Sequence, residues 1–476
     1  MVVRQPGVKI GIFNTPQVGE VLPDRIWATC VETNKGPLMT PVLVTSPEQA
    51  KDIFNFDATA YFKVGGQGLR LVRVGSGSVA KAEYTVQDTN NTDLFTLTAK
   101  SEGTFEILIN TMPYYGTGFT CNISAEGYTT EYNEGINTIQ NLVKLINNKS
   151  KLVTAEFIAE PTTGETIETN LNTALTGGSN GDGDPITGEL PETEAPFAHR
   201  EGLKLFEHER ISGVFSQSKY LSVQNEYVYH ADQMSQPEVC RWRYALIGAV
   251  DRQTKDAIIQ RAEIYNNERI LFVGRGVITD EGKEYLPYEA TIFIAGKRSS
   301  LFYGDSIFGW ENKKLLTGVA DVMDMTTDGV ITTELDMDEY NEKGVITFKK
   351  EYNNVAITEG VTTVQADNDT QQDEESIVSI ITYVSYEVYE IARRFIGRNI
   401  TSELQTAIEE VIKSKLSQIK SEDRTLIDIE DPNTPAYDVK VSIQPRENQR
   451  AGKINITLVI VPVHALRQIE ATIIVL

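Results

Sequence analysis

The chain is poor in the residues that most often carry chemistry. Its three cysteines, Cys30, Cys121 and Cys240, are odd in number, widely scattered and form no CxxC. That spacing suggests neither a disulfide framework nor a zinc site, and synthesis in a reducing cytoplasm is the simplest reading. The four histidines, His199, His208, His230 and His464, offer no pair at ligand spacing and no HExxH. A nucleophile elbow G-x-S-x-G is absent, because "GSGSV" (75–79) does not fit. Positive charge is also short: 44 Lys and Arg face 67 Asp and Glu, a net charge of −23. A general nucleic-acid binder needs a basic surface, so that class is disfavoured, while solubility and repulsion between copies are favoured. Long hydrophobic runs are missing too. "LVIVPV" (458–463) falls far below the roughly 18–20 residues that span a membrane, so no direct membrane insertion is expected. The opening "MVVRQPGVKIG" has no long apolar h-region, so no signal peptide is expected.

What is present is enough for real cores. Hydrophobic residues make up 40% of the 476, and a chain of that length is expected to form about two to four domains. Residues 1–14 read as an extended arm, with Val8, Ile10 and Ile12 alternating with Lys9, Gly11 and Phe13. "IWATCVET" (26–33) reads as a buried strand and "LRLVRVGSG" (69–77) as a strand entering a loop. "SPEQAKDIFN" (46–55) reads as a short helix with Ser46 as N-cap and Pro47 at its first position. "DLFTLTAKSEGTFEILINTM" (93–112) alternates as strands. "GINTIQNLVKLINNKS" (135–150) is an amphipathic helix with Ile139, Leu142, Val143 and Ile146 on one face. "TALTGGSNGDGDPITGELPETEAP" (173–196) reads as an acidic loop or linker, so 80–200 is expected to be an inserted, exposed module.

From about 240 strands and helices alternate, as in an α/β layer with partly parallel strands. Residues 311–365 read as short strands and "QADNDTQQDEES" (365–376) as a polar connector. The strongest helix follows: Ile377, Ile380, Ile381, Val384, Val388, Ile391, Ala392 and Phe395 share one face at a 3.6 period. A second helix is expected from a capping box of Ser402 and Gln405, with Leu404, Ile408, Val411, Ile412, Leu416 and Ile419 as its apolar stripe. The tail reads as strand: 437–443, 454–461 and the final "RQIEATIIVL", where Ile469, Ala471, Ile473 and Val475 alternate.

Site motifs are weak. Asn180, Asp182 and Asp184 match positions 1, 3 and 5 of a calcium loop, but Pro185 replaces its glycine and Pro191 its final glutamate, so a solvated turn is the better reading. "DEGKE" (280–284) ends in Glu284 where a P-loop needs Ser or Thr, and "VGRGV" is a lone G-x-G. A Ser-His-Asp site could be assembled from distant residues, but nothing selects one. Arg393, Arg394 and Arg398 are clustered in an acidic chain; they read as a solvated helix face or as a basic docking surface for an acidic partner.

Several stretches, taken in order, resemble the tail sheath protein family of contractile phage tails and related contractile particles. They are "QPGVKI" (5–10), "KGPLMTPVLVTSPEQAKDIFN" (35–55), "GGQGLRLVRVGSG" (65–77), "LTAKSEGTFEILI" (97–109), "IARRFIGRN" (391–399) and "PVHALRQIEATIIVL" (462–476). "SEGTFEIL" departs from the family's inserted module in lacking its Pro, Trp and Asn. The resemblance implies a multidomain α/β and α+β fold. An N-terminal linker arm (1–20) and a first part of the core (21–80) precede an inserted β-rich protruding module (81–199). A subtilisin-like, non-catalytic α/β domain (200–365), a C-terminal sheath domain (366–464) and a C-terminal linker arm (465–476) follow.

The resemblance also implies a structural, non-enzymatic role without cofactor or metal. Subunits would stack as hexameric rings around a tail tube protein, with baseplate and tail terminator proteins as further partners, in a virion tail or tail-like particle assembled in the bacterial cytoplasm. Val8, Ile10, Ile12, Ile469, Ala471, Ile473 and Val475 would form strand linkages between subunits by β-augmentation. The last four would be buried only in the assembly, or against the chain's own sheet if the arm is shorter. Arg393, Arg394 and Arg398 would face the tube. Contraction would then drive the tube through a target envelope. A hydrolase on the α/β region, and a tube or baseplate protein, are the alternatives.

Overall fold

The computed structural model describes residues 25–75, 79–114, 118–125, 128–162, 165–181, 183–184, 187–236, 239–250, 253–323, 333–365, 372–423, 425–426, 435–442 and 454–464. The arm residues Val8, Ile10, Ile12, Ile469, Ala471, Ile473 and Val475 lie outside them, as does Asp182.

The centre is a seven-stranded sheet. Its order is Val345–Ile346, Ile270–Val273, Tyr244–Gly248, Gly213–Phe215, Trp27–Val31, Leu69–Arg73 and Val42–Val44. All neighbours are parallel except the last pair. Trp27–Val31, Tyr244–Gly248 and Ile270–Val273 are buried at every residue, as expected of parallel strands covered on both faces. Side chains divide with a period of two. Trp27, Val31, Leu246 and Leu271 pack towards the Pro287–Ser300 helix; Ala28, Cys30, Ala245, Ile247 and Phe272 pack towards Ala195–Lys204, Leu221–Ser235 and Lys255–Tyr265. Trp27 stacks on Tyr244 with ring centroids 6.5 Å apart. A Cβ at Gly213 would sit 2.6 Å from the Trp27 ring, so only glycine admits the indole there.

The Pro47–Phe54 helix has the expected cap: Gln49 N donates to Ser46 Oγ at 3.2 Å. Four helices escaped the sequence reading, the short Thr59–Lys63 among them. Ala195–Lys204 begins inside the stretch read as linker, and the 199/200 boundary falls within it. Its Ala195, Ala198 and Leu203 pack on the sheet. Leu221–Ser235 buries Val223, Tyr227, His230, Ala231 and Met234. Glu334–Glu342 interrupts the region read as strands only; Thr333 and Asp336 form its capping box.

The insertion leaves the sheet after Leu69–Arg73. Val79–Gln87, Asp93–Glu102, Val153–Phe157 and Ser179–Asn180 make a four-stranded sheet, and Ile107–Tyr114 pairs with Gly118–Ala125 and Asn170–Ala174. The Ile139–Lys149 helix buries Ile139, Leu142, Val143 and Ile146, the expected face. Ser179–Asn180 corrects the linker reading of 173–196, because those residues pair antiparallel with Val79–Ala80.

Arg73 ties this insertion to the body. Its guanidinium donates to Thr33 O, Gly36 O and Glu102 O at 2.8 Å and to Asn180 Oδ1 at 2.9 Å. Asn180 Nδ2 in turn donates to Thr104 Oγ1 at 2.8 Å, so its side chain serves a structural contact rather than the calcium loop considered from sequence. Gly103, at φ 122°, fits beneath: a Cβ there would lie 2.0 Å from Asn34 O.

Candidate assembly surface

The C-terminal unit is built from two amphipathic helices and two strands. Glu375–Arg393 and Ser402–Gln418 run along one apolar cluster of Ile380, Val384, Ile391, Leu404, Ile408, Ile412 and Leu416. The second helix is capped by Thr401, not Ser402: Leu404 N donates to Thr401 Oγ1 at 3.2 Å, and Ser402 is the first helical residue. Val411 is 43% exposed and lies off the stripe assigned to it, because the buried residues recur at Leu404, Ile408, Ile412 and Leu416, one per turn.

The strands Tyr437–Ser442 and Asn455–Ile460 pair antiparallel in register Tyr437↔Ile460 to Ser442↔Asn455. Val439 and Val441 are buried against the helices. Residues 456, 458 and 460 are only half-buried and Val459 is 54% exposed. Gln405 Nε2 donates to Val441 O at 2.6 Å along one edge. Among the described residues no further strand joins this sheet. Two strands alone are marginal, and open edges present main-chain donors and acceptors to another chain.

The three arginines sit at the corner between the two helices. Arg393 ends the first helix and contacts Glu390 at 3.8 Å; Arg398 stacks on Phe395 at 5.1 Å. All three are exposed, with Ile396 beside them at 81% exposure. All three therefore lie exposed at the turn between the two helices.

Buried polar contacts join this unit to the body, and sequence reading missed them. Glu375 belongs to the stretch that reads as a polar connector, yet it is 0% exposed and lies 2.9 Å from Arg298 Nε. Burial pushes the Glu375 carboxyl above its usual range and Arg298 pulls it back only in part. Tyr244 OH donates to Glu375 O at 3.0 Å, and Tyr386 OH donates to Trp242 O at 2.9 Å. Arg210 and Lys415 approach Glu387 at 3.8 and 3.1 Å. No sequence pattern marks Arg298, since it lies in a helix buried almost throughout.

The histidines weigh against the hydrolase alternative. At the carboxyl ends of Trp27–Val31 and Gly213–Phe215, where strand order reverses, a cleft of about 330 Å³ is lined by Glu32, His199, Gln217 and Ser218. His199 Nε2 meets Glu32 at 2.7 Å and Nδ1 meets Tyr227 OH at 3.0 Å, so both ring nitrogens are occupied. His230 is held neutral, its pKa pushed down to about 3 by burial and then by Arg243, 3.0 Å away. His208 is exposed. Among the described residues no His, Cys, Asp and Glu cluster could hold a metal, and no helix is long and apolar enough to cross a membrane.

No protein-family model matches the chain, and no curated protein matches it in sequence. Solved structures do match in fold. A sheath tail protein from Desulfitobacterium hafniense superposes with a TM-score of 0.65 at 14% identity, covering 96% of this chain and 100% of that one. A sheath tail protein from Listeria innocua gives 0.59 at 13%, covering 88% of each chain. The helical sheath of the anti-feeding prophage in its contracted state gives 0.55 at 12%, covering 99% of each chain. The mixed α/β fold of this chain is thus similar to that of sheath tail proteins.

Proposed function

We propose that the chain is a structural, non-enzymatic subunit of a contractile sheath in a phage tail or tail-like injection particle. The observation that carries this reading is the full-length likeness: the same fold spans this chain and the contracted sheath of another particle at 99% of both chains. The central α/β body (200–365, with 21–80) would be subtilisin-like in topology, the 81–199 insertion would protrude, and the unit at 366–464 would line the interior. Subunits stack as hexameric rings around a tube protein, between a baseplate and a tail terminator, after assembly in the host cytoplasm. The two-stranded sheet Tyr437–Ser442 and Asn455–Ile460 receives strands from the arms of neighbouring subunits, through Val8, Ile10 and Ile12 of one and Ile469, Ala471, Ile473 and Val475 of another. Arg393, Arg394 and Arg398 face the tube. Energy for contraction comes from better-matched contacts between subunits in the contracted state.

Electron microscopy of the purified chain, alone and with its tube protein, tests the reading. Rings or tubes are expected. A strictly monomeric chain under every condition tried overturns it, and labelling by a serine-directed probe would revive the hydrolase.

A further inference from the structure

The two ends of the described chain are held by residues that are sequence neighbours of one buried ion pair. At the N-terminal end, Ser299 Oγ donates to Arg25 O at 2.7 Å, and the Arg25 guanidinium lies 5.3 Å from the Phe302 ring. At the C-terminal end, His464 Nδ1 lies 3.5 Å from Glu374 Oε2, and Val463 N donates to Thr425 O at 3.0 Å. Ser299 follows Arg298, and Glu374 precedes Glu375. The pair Arg298–Glu375 therefore joins the residue next to one root directly to the residue next to the other.

The pair is ill-suited to stabilise and well suited to position. Its side chains are 5% and 0% exposed, so both charges are withdrawn from water. Such a pair costs desolvation that its attraction barely offsets, and apolar residues of similar volume would hold a core as well. What it does fix is geometry. Arg298 also donates to Asp305 O at 2.7 Å, Phe302 O at 3.0 Å and Ser379 Oγ at 2.6 Å, which gathers the end of one helix, the following turn and the start of the Glu375–Arg393 helix around one guanidinium.

We infer that Arg298 and Glu375 are positioning residues for assembly: they hold the roots of both terminal arms on the start of the Glu375–Arg393 helix, so that the arms leave the subunit at fixed points. The inference rests on the sheath reading for its consequence, but its physical core can be read on the single chain. In Glu375→Gln, which keeps shape and removes charge, amide exchange at 299–303 and 461–464 is expected to rise about tenfold, and the concentration at which sheaths appear to rise by a similar factor. The variant His464→Ala with Ser299→Ala cuts the root contacts without touching the pair and is expected to do the same at assembly; it decides if Glu375→Gln does not fold. Unchanged exchange at both roots overturns the inference whether or not sheaths form. Unchanged assembly by variants of a parent that does assemble overturns it too, while failure of the parent to assemble removes the sheath reading instead.

Discussion

The insertion and the C-terminal unit use the same materials and finish differently. Each sets alternating strands against amphipathic helix. In the insertion, Asp93–Glu102 has paired strands on both sides, and its Leu94, Phe95, Leu97 and Ala99 are buried. In the C-terminal unit, Asn455–Ile460 has, among the described residues, one partner strand, and none of its own residues is fully buried. Charge separates the two as well: no arginine lies between Arg73 and Arg200, whereas residues 393–398 hold three. The contrast teaches that an alternating pattern states a demand for cover and does not say who provides it. One region meets the demand within itself, and the other, among the described residues, leaves part of it unmet.

That contrast can be broken experimentally. The largest effect on folding of the isolated chain is expected from Phe95→Ala, a loss of about 3–5 kcal/mol by denaturant unfolding, because the insertion has its own core. Next, Asn180→Ala should cost about 1–3 kcal/mol, since it strips a partner from buried Arg73 and so loosens the insertion on the body. Thr401→Ala should cost about 1 kcal/mol by thermal unfolding as a lost helix cap. The smallest folding effect, within about 0.5 kcal/mol, is expected from Val459→Lys, yet sedimentation should show assembly lost. A large folding cost at Val459 would mean that the C-terminal sheet is covered by its own chain.

Acid sensitivity sharpens the picture of the body. His230 is buried neutral with a pKa near 3, below the ordinary 6.5. The unfolded chain therefore takes up this proton first, and stability present above about pH 6.5 is lost as pH falls towards 3. His230→Gln, whose carbonyl can still accept from Arg243, should flatten that part of a stability–pH curve.

Periodic elements were legible in the sequence. The stripe Ile139, Leu142, Val143 and Ile146 and the Ser46 cap fall where they were expected. Leu221–Ser235 was not, because its buried face includes Gln224 and His230, polar residues satisfied by tertiary partners such as Arg261 and Arg243. Glu374 and Glu375 misled for the same reason: two carboxylates beside a polar run look solvated until distant His464 and Arg298 are placed against them. Local pattern reports which face wants burial. It is silent on charges whose partners lie far along the chain.

The point where the insertion joins the body carries a consequence of its own. Its first and last strands are bonded to each other, Val79 opposite Asn180 and Ala80 opposite Ser179. The excursion of a hundred residues thus begins and ends about one strand spacing apart, near 4.8 Å, the span of an ordinary hairpin turn. To the chain path of the parallel sheet, the whole insertion spans no more than a short loop does. Such a junction works as a socket with one latch: a different folded unit with adjacent ends fits the same gap only if it also supplies the acceptors that Glu102 and Asn180 offer to Arg73.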